Sequence, residues 1–133
     1  MLSGHQFPDG IDPYVVEGNT SSVLLWGISG ERLAQRGSAD HKIQSYNYRI
    51  CLTNNKTNRI DLTKPDNYNP DHYELFLRLI HKTKPTKISQ FLKQDRMPNQ
   101  KTDFNNQGPF STDMIGMNYE YPEGSYETRR EII

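Results

Sequence analysis

The prediction of the fold begins with the stretch Ile43-Gln44-Ser45-Tyr46-Asn47-Tyr48-Arg49-Ile50-Cys51-Leu52-Thr53. Successive side chains of a β-strand point to opposite faces of its sheet, so large apolar bodies that alternate with polar groups predict a strand over residues 43–53. One face then carries Tyr46, Tyr48, Ile50 and Leu52. The other face is polar and includes Asn47 and Arg49. The pattern favours a sheet that packs its apolar face on a core, and a polar face that lines a ligand site is the alternative.

A helix is predicted from Pro70 to Lys82. Asn69 can cap its first turn, and Pro70 suits the first helical position because the N–H that proline lacks would have no helical partner there. The spacing typical of an inward-facing stripe is met by Tyr73, Phe76, Leu77 and Ile80. A weaker helical turn is indicated by Ile88, Phe91 and Leu92.

A second helix is expected near the last residues, with Ser125 as its N-cap and Tyr126 in its apolar stripe. About eight residues are too few for a stable isolated helix, so we expect this helix to continue past Ile133 and the domain to be incomplete. Two apolar runs, 14–16 and 23–26, indicate brief strands or extended segments. The elements together predict an α+β fold with a small mixed sheet, a few helices and long loops.

The composition predicts an ordered chain with a thin core. Leu, Ile, Val and Phe make up 28 of 133 residues, which is close to the level of about 20% at which chains stay disordered. Sixteen basic and sixteen acidic residues cancel, and phosphate binding needs a basic surplus, so the balance argues against a nucleic-acid partner. No apolar run in the sequence is long enough to cross a bilayer, so no membrane partner is expected.

Candidate chemistry lies in residues 97–118, which are rich in Asn, Asp, Gly and Pro. We predict a long polar loop here, and such loops are often functional. The four histidines and Cys51 have no metal-ligand spacing, so no metal site is predicted, and Cys51 is expected to be a small buried residue. The sequence contains no Gly-x-Gly-x-x-Gly, the motif that holds a dinucleotide pyrophosphate at a helix N-terminus. We therefore expect one partial domain over residues 1–133, without a dinucleotide-binding domain.

Four ordered blocks resemble the middle region of a family of bacterial FAD-dependent oxidoreductases. They are His5-Gln6-Phe7-Pro8 with Gly10-Ile11-Asp12-Pro13-Tyr14-Val15; Gln44 to Thr53; Asn58-Arg59-Ile60 with Lys64-Pro65-Asp66-Asn67-Tyr68; and Pro98-Asn99-Gln100-Lys101-Thr102-Asp103-Phe104-Asn105-Asn106 with Ser111-Thr112-Asp113-Met114-Ile115-Gly116. The resemblance covers the chain from His5 onward, and four blocks in order are more specific than any one of them. The sequence departs from the family pattern at Gln100, where glycine is usual.

The resemblance implies a substrate-side region that packs over an FAD held by a separate Rossmann-type domain, which this chain lacks. The flavin supplies the redox chemistry in such enzymes, and the protein supplies orientation and charge. The resemblance further implies that FAD would not bind this chain alone and that the isolated chain would be inactive.

Six residues from the strand and the polar segment are candidates for the substrate side. Arg49 and Lys101 would steady negative charge, and Asp103 would act as an acid, a base or a positioning acceptor. Asn47, Asn99 and Asn105 would bind substrate.

The residues themselves leave two other interpretations of the function open. One is a small carbohydrate- or protein-binding module without catalysis, because eight tyrosines and Trp26 offer stacking surfaces. The other is a non-functional remnant of a gene.

Overall fold

The computed structural model describes residues 6–32 and 34–133, so His5, with which the first of the four blocks begins, lies outside the described residues. The fold is α+β, as predicted, with long segments between its regular elements. Three strands are present in the described chain: β1 (Ile50–Thr53), β2 (Leu92–Met97) and β3 (Lys101–Asn106). They form an antiparallel sheet with β3 in the centre. The α-helices are α1 (Glu74–Thr83) and α2 (Tyr126–Ile132).

The strand predicted over 43–53 is shorter than expected. Its regular part is β1, and Asn47 adds an isolated bridge to Asp113. The prediction that the apolar face of this strand packs on a core is also wrong, because Tyr46, Tyr48 and Ile50 are 50%, 59% and 46% exposed. Alternation determines which side chains share a face, whereas burial depends on which face another element covers.

The prediction of a polar loop over 97–118 is wrong for its first part, since β3 is the central strand of the sheet. Asn and Asp are depleted in strands, so the residues of β3 gave no local strand signal. Hydrogen bonds to β1 on one side and β2 on the other override that preference. The weak helical turn is a short 3₁₀ helix, Ile88–Gln90, after which Phe91 is buried and Leu92 begins β2.

The turn between β2 and β3 is strained at Gln100. The N–H of Lys101 donates to the carbonyl oxygen of Pro98 at 3.3 Å, and the two residues between them, Asn99 and Gln100, both have φ of 59°. Two positive φ angles define a type I′ turn, for which Asn-Gly is the preferred pair. Gln100 therefore occupies a position that favours glycine.

Replacing Gln100 with glycine should stabilise the chain by about 0.5 to 1 kcal/mol. The left-handed conformation costs a residue with a Cβ about 1 to 2 kcal/mol, and the greater freedom of glycine in the unfolded chain offsets part of that gain. The urea midpoint of unfolding measures the change. Asn99→Gly is the matched control and should have a smaller effect, because asparagine tolerates this conformation. If Gln100→Gly lowered the urea midpoint of unfolding, the claim that Gln100 is strained in this turn would be wrong.

The first predicted helix is confirmed, with a 3₁₀ turn at its start. The side chain of Asn69 accepts from the N–H of Asp71 at 3.0 Å, Pro70–Tyr73 forms the 3₁₀ turn, and α1 follows. The predicted inward stripe is wrong in part, because Tyr73 and Leu77 are 45% and 44% exposed. Nearly every position from 75 to 80 is apolar, so two overlapping stripes satisfy the same spacing.

The described core is small and centres on α1. Its buried apolar side chains are Leu25, Leu75, Leu79 and Phe91. The ring of Phe76 extends this cluster, since it contacts Phe91 edge-on at a centroid distance of 4.9 Å and stacks on Phe110 at 4.6 Å. The core therefore joins the helix to the polar segment that follows the sheet.

The two short apolar runs near the N-terminus pair as extended segments. The N–H of Val15 donates to Val23 O at 2.9 Å, and the N–H of Leu25 donates to Pro13 O at 2.8 Å. Asp12 holds the loop between them: its carboxylate accepts from the N–H groups of Tyr14 and Gly18. These hydrogen bonds, that from Gly18 first, together with the nearby positive charge of Arg78, hold the pKa of Asp12 below its ordinary value.

The last predicted helix is confirmed as α2. The hydroxyl of Ser125 accepts from the N–H of Thr128 at 3.2 Å and caps its first turn. Neither described helix has the length and apolar character needed to span a membrane.

Candidate functional site

Four of the six predicted site residues lie together on one face of the sheet. Cys51 of β1 pairs with Asp103 of β3, and directly paired residues share a face, so side chains two positions away on either strand share it too. Two side-chain pairs result, and they make up what we call the polar ridge: Arg49 with Asp103 and Asn47 with Asn105.

Direct hydrogen bonds hold the polar ridge. The Nε atom of Arg49 donates to Oδ1 of Asp103 at 3.1 Å, and Nη2 donates to Oδ2, so the contact is bidentate. The Nδ2 atom of Asn47 donates to Oδ1 of Asn105 at 2.9 Å. A bidentate arginine–carboxylate contact fixes the planes of both groups, which gives geometric specificity as well as attraction.

The other two predicted residues lie towards the hairpin turn. Lys101 pairs with Thr53 and Met97 in the sheet. It stands two positions from Asp103 on the same face, about 7 Å along the strand. Asn99 is exposed within the turn itself. Asn99 and Lys101 are therefore separated from Asn47, which lies towards the opposite end of the ridge.

Opposite charges are matched across this face of the sheet. Asp95 of β2 lies directly opposite Asp103, and two facing carboxylates would repel each other. Lys93 Nζ lies 2.8 Å from Asp95 Oδ2, while Asp103 is engaged by Arg49. Each carboxylate thus has its own cation.

A cleft of about 650 Å³ opens beside the polar ridge. We call it the aromatic cleft, because six of the residues that line it are Trp26, Tyr46, Tyr48, Tyr73, Phe110 and Tyr121. The volume lies within the range of small-molecule sites, which are lined mainly by apolar and aromatic groups with a few polar ones.

The aromatic rings of the cleft are braced against one another. Trp26 stacks on His72 at a centroid distance of 4.3 Å and an interplanar angle of 11°. Tyr46 meets Tyr121 edge-on at 5.4 Å. The hydroxyl of Tyr48 donates to the backbone oxygen of Ile133 at 2.8 Å. These contacts orient rings that come from four distant parts of the chain.

Asn118 places a polar group in the wall of the aromatic cleft. It is 4% exposed, and its Nδ2 atom donates to the carbonyl oxygen of Gln44 at 3.1 Å. Its Oδ1 atom is buried and has no hydrogen-bond partner within residues 6–32 and 34–133. A buried acceptor without a donor costs about 1 to 3 kcal/mol, so this atom favours a ligand that brings a donor.

The polar ridge and the aromatic cleft adjoin at Asn47, which belongs to the ridge through its side chain and is also one of the residues that line the cleft. The backbone supports this junction, since the N–H of Met114 donates to the carbonyl oxygen of Tyr46 at 3.4 Å. Sequence reasoning missed the cleft as a site. The available signal was the number of aromatic residues, which supported the binding-module alternative without locating a site.

The described residues offer no metal site, because no three His, Cys, Asp or Glu side chains cluster among them. Cys51 is exposed, so the prediction that it is buried is wrong. The face of β1 that carries it is left open in the fold.

FAD pyrophosphate has no matching cradle among the described residues. Such a cradle needs a strand that leads through a glycine-rich turn into a helix. Here α1 follows a 3₁₀ turn that contains Pro70, and α2 follows the turn before Ser125. The described residues therefore do not fit the nucleotide part of the cofactor.

A family model described as FAD dependent oxidoreductase matches residues 8–133. No curated protein and no solved structure matches the chain.

Proposed function

Because this chain belongs to the FAD-dependent oxidoreductase family, we propose that it contributes the substrate side of such an enzyme. In this proposal the chain is a partial domain, and the FAD-binding domain of the parent protein is its partner. FAD, when bound there, supplies the hydride chemistry. The residues of this chain bind and orient the substrate.

The observation that carries the proposal is the junction of the polar ridge with the aromatic cleft at Asn47. An apolar cleft that ends in a row of charged and amide groups can hold a substrate ring and direct one polar atom towards a fixed position. Effective catalysis depends on such prior positioning, because the geometry is established before the reaction.

Each predicted residue takes a role that its place permits. Asp103 accepts a hydrogen bond or a proton from a substrate hydroxyl, and the bidentate contact with Arg49 keeps its carboxylate oriented. Arg49 and Lys101 stabilise negative charge that develops on a substrate oxygen. The amide groups of Asn47 and Asn105 bind substrate hydroxyls on the ridge, and that of Asn99 binds at the hairpin turn.

Exposed apolar side chains support the proposal that a partner domain covers part of this chain. Ile60 and Leu62 are 94% and 84% exposed and follow β1 closely in the chain. Chains rarely leave several large apolar groups open unless another surface covers them. We propose that the FAD-binding domain packs on this segment. Its flavin would then lie near β1, which is an edge strand of the sheet.

The test mixes the purified chain with an FAD-loaded FAD-binding domain from another family member. Sedimentation should show a saturable complex, and Ile60→Ser with Leu62→Ser should weaken it. Asp103→Asn should leave the complex intact and slow flavin reduction by hydroxyl-bearing compounds by about a hundredfold or more, the usual contribution of a positioned acid or base.

Lys56→Met is the matched surface control, since it removes an exposed charge outside the ridge, and it should change neither binding nor reduction. Absence of any complex at high micromolar concentration would overturn the proposal. In that case, ligand binding by the chain alone would favour a carbohydrate- or protein-binding module, and failure of both would favour a gene remnant.

A further inference from the structure

No Asp, Glu, Lys or Arg side chain is among the described residues that line the aromatic cleft; in the 133-residue chain the formal charge at its wall is the α-carboxylate of Ile133, which accepts from the hydroxyl of Tyr48 at 2.8 Å. The nearest charges on the polar ridge are those of Arg49 and Asp103, and they neutralise each other. A carboxylate or phosphate inside the cleft would lose its hydration without gaining a counter-charge, which weakens its binding. The cleft therefore disfavours a ligand with negative charge.

Aromatic rings in the cleft favour a ligand with polarised C–H faces. The face of an aromatic ring carries partial negative charge, and it attracts C–H groups made partly positive by neighbouring oxygens. His72 covers one face of Trp26, whereas the residue as a whole stays 42% exposed. Tyr48 is 59% exposed at the same site. Both rings can therefore meet the face of a bound ring.

Polar groups in the cleft favour a ligand with several hydroxyls. The buried Oδ1 atom of Asn118 needs a donor, and a hydroxyl is both donor and acceptor. The side chains of Asn47, Ser111 and Thr112 add further amide and hydroxyl groups to the walls. All three already have a partner in the fold, Asn105 for Asn47 and Asn106 for the two hydroxyls, and each keeps a further donor or acceptor that a purely aromatic ligand would leave unused.

We infer that the aromatic cleft binds a neutral six-membered ring that carries several hydroxyls, a pyranose or a cyclitol. This inference deepens the proposed function and rests on it for the identity of the ring as substrate. The ring stacks on Trp26 and Tyr48, donates a hydroxyl to Asn118 Oδ1 and presents another hydroxyl to the polar ridge through Asn47. The ridge then acts on an oxygen of a neutral substrate, where negative charge develops only during the reaction.

Trp26, the single tryptophan of the chain, serves as the reporter because it lines the cleft. Its fluorescence is titrated with methyl glucopyranoside and with myo-inositol, and then with methyl glucuronide as the anionic counterpart. At least one neutral probe should give a saturable change, and the glucuronide should bind at least roughly tenfold more weakly. No flavin is present in this assay.

Two variants test the contacts. Asn118→Leu, which removes the buried acceptor, should weaken binding of the neutral probe roughly tenfold. Tyr48→Ser should also weaken it, and its exposed position makes loss of the fold a poor explanation. Asn67→Leu is the matched control, because Asn67 is exposed in a turn outside the cleft, and it should bind as the unchanged chain does.

Two outcomes would overturn the inference: no saturable response to either neutral probe, or a glucuronide that binds as tightly as the neutral probes. Failure of the proposed function looks different. A chain that binds the neutral ring but forms no complex with an FAD-binding domain keeps this cleft assignment and loses the role in a flavoenzyme. A chain that forms the complex but ignores neutral rings keeps the role and loses the substrate class.

Discussion

Leu79→Ala is expected to lower the free energy of unfolding by about 3 kcal/mol or more. Leu79 is 1% exposed and lies on the buried face of α1, next to Leu75 one turn away. Truncation removes its transfer free energy and leaves a cavity, because neighbouring groups relax only partly. Few other apolar side chains are buried in the described chain, so the loss is a large fraction of a marginal stability.

Urea unfolding followed by circular dichroism measures this effect. Leu77→Ala is the matched control, since Leu77 lies on the same helix and is 44% exposed. We expect it to cost less than about 1 kcal/mol. Equal losses for the two variants would show that α1 does not bury the face described above.

Arg78→Met is expected to destabilise the chain by about 3 kcal/mol and to release the N-terminal segment from α1. The side chain of Arg78 is 10% exposed, and its guanidinium donates to the carbonyl oxygens of Asp12 and Tyr14 at 2.9 and 2.7 Å. It also donates to Glu74 Oε1 at 2.8 Å. Methionine keeps much of the side-chain volume but leaves the two carbonyl groups and Glu74 without their donor.

Thermal unfolding measures the stability loss, and limited proteolysis reports release of the segment before residue 26. Arg59→Met is the matched control. Its ion pair with Asp61 has side chains that are 45% and 79% exposed, and exposed pairs contribute about 0 to 1 kcal/mol. Unchanged proteolysis of Arg78→Met would show that other contacts hold the N-terminal segment in place.

Family membership and part of the candidate site were readable in the sequence. The four ordered blocks identified the FAD-dependent oxidoreductase family, which the match over residues 8–133 confirms. Alternation around Ile50 placed Asn47 and Arg49 on one side of a strand, and the polar segment supplied Asp103 and Asn105. Their pairing across β1 and β3 could not be read, because it depends on a register between residues more than fifty positions apart.

The burial pattern shows the same limit. The spacing in α1 was correctly helical, yet it did not distinguish the stripe of Leu75 and Leu79 from that of Tyr73 and Leu77. Both stripes are apolar, and the choice between them depends on where Phe91 and the N-terminal segment pack. The aromatic cleft is likewise assembled from rings that are distant in sequence, such as Trp26 and Tyr121.

The sequence by itself determined the features that depend on neighbouring residues: the caps at Asn69 and Ser125, the helices that they begin and the alternation before Thr53. The tertiary structure alone decided that Lys101–Asn106 is the central strand, which faces are buried and where the cleft lies. The physical reason is the distance along the chain over which each kind of interaction acts. Capping and periodicity act within one or two turns of the chain, whereas strand pairing and burial depend on groups brought together only when the whole chain folds.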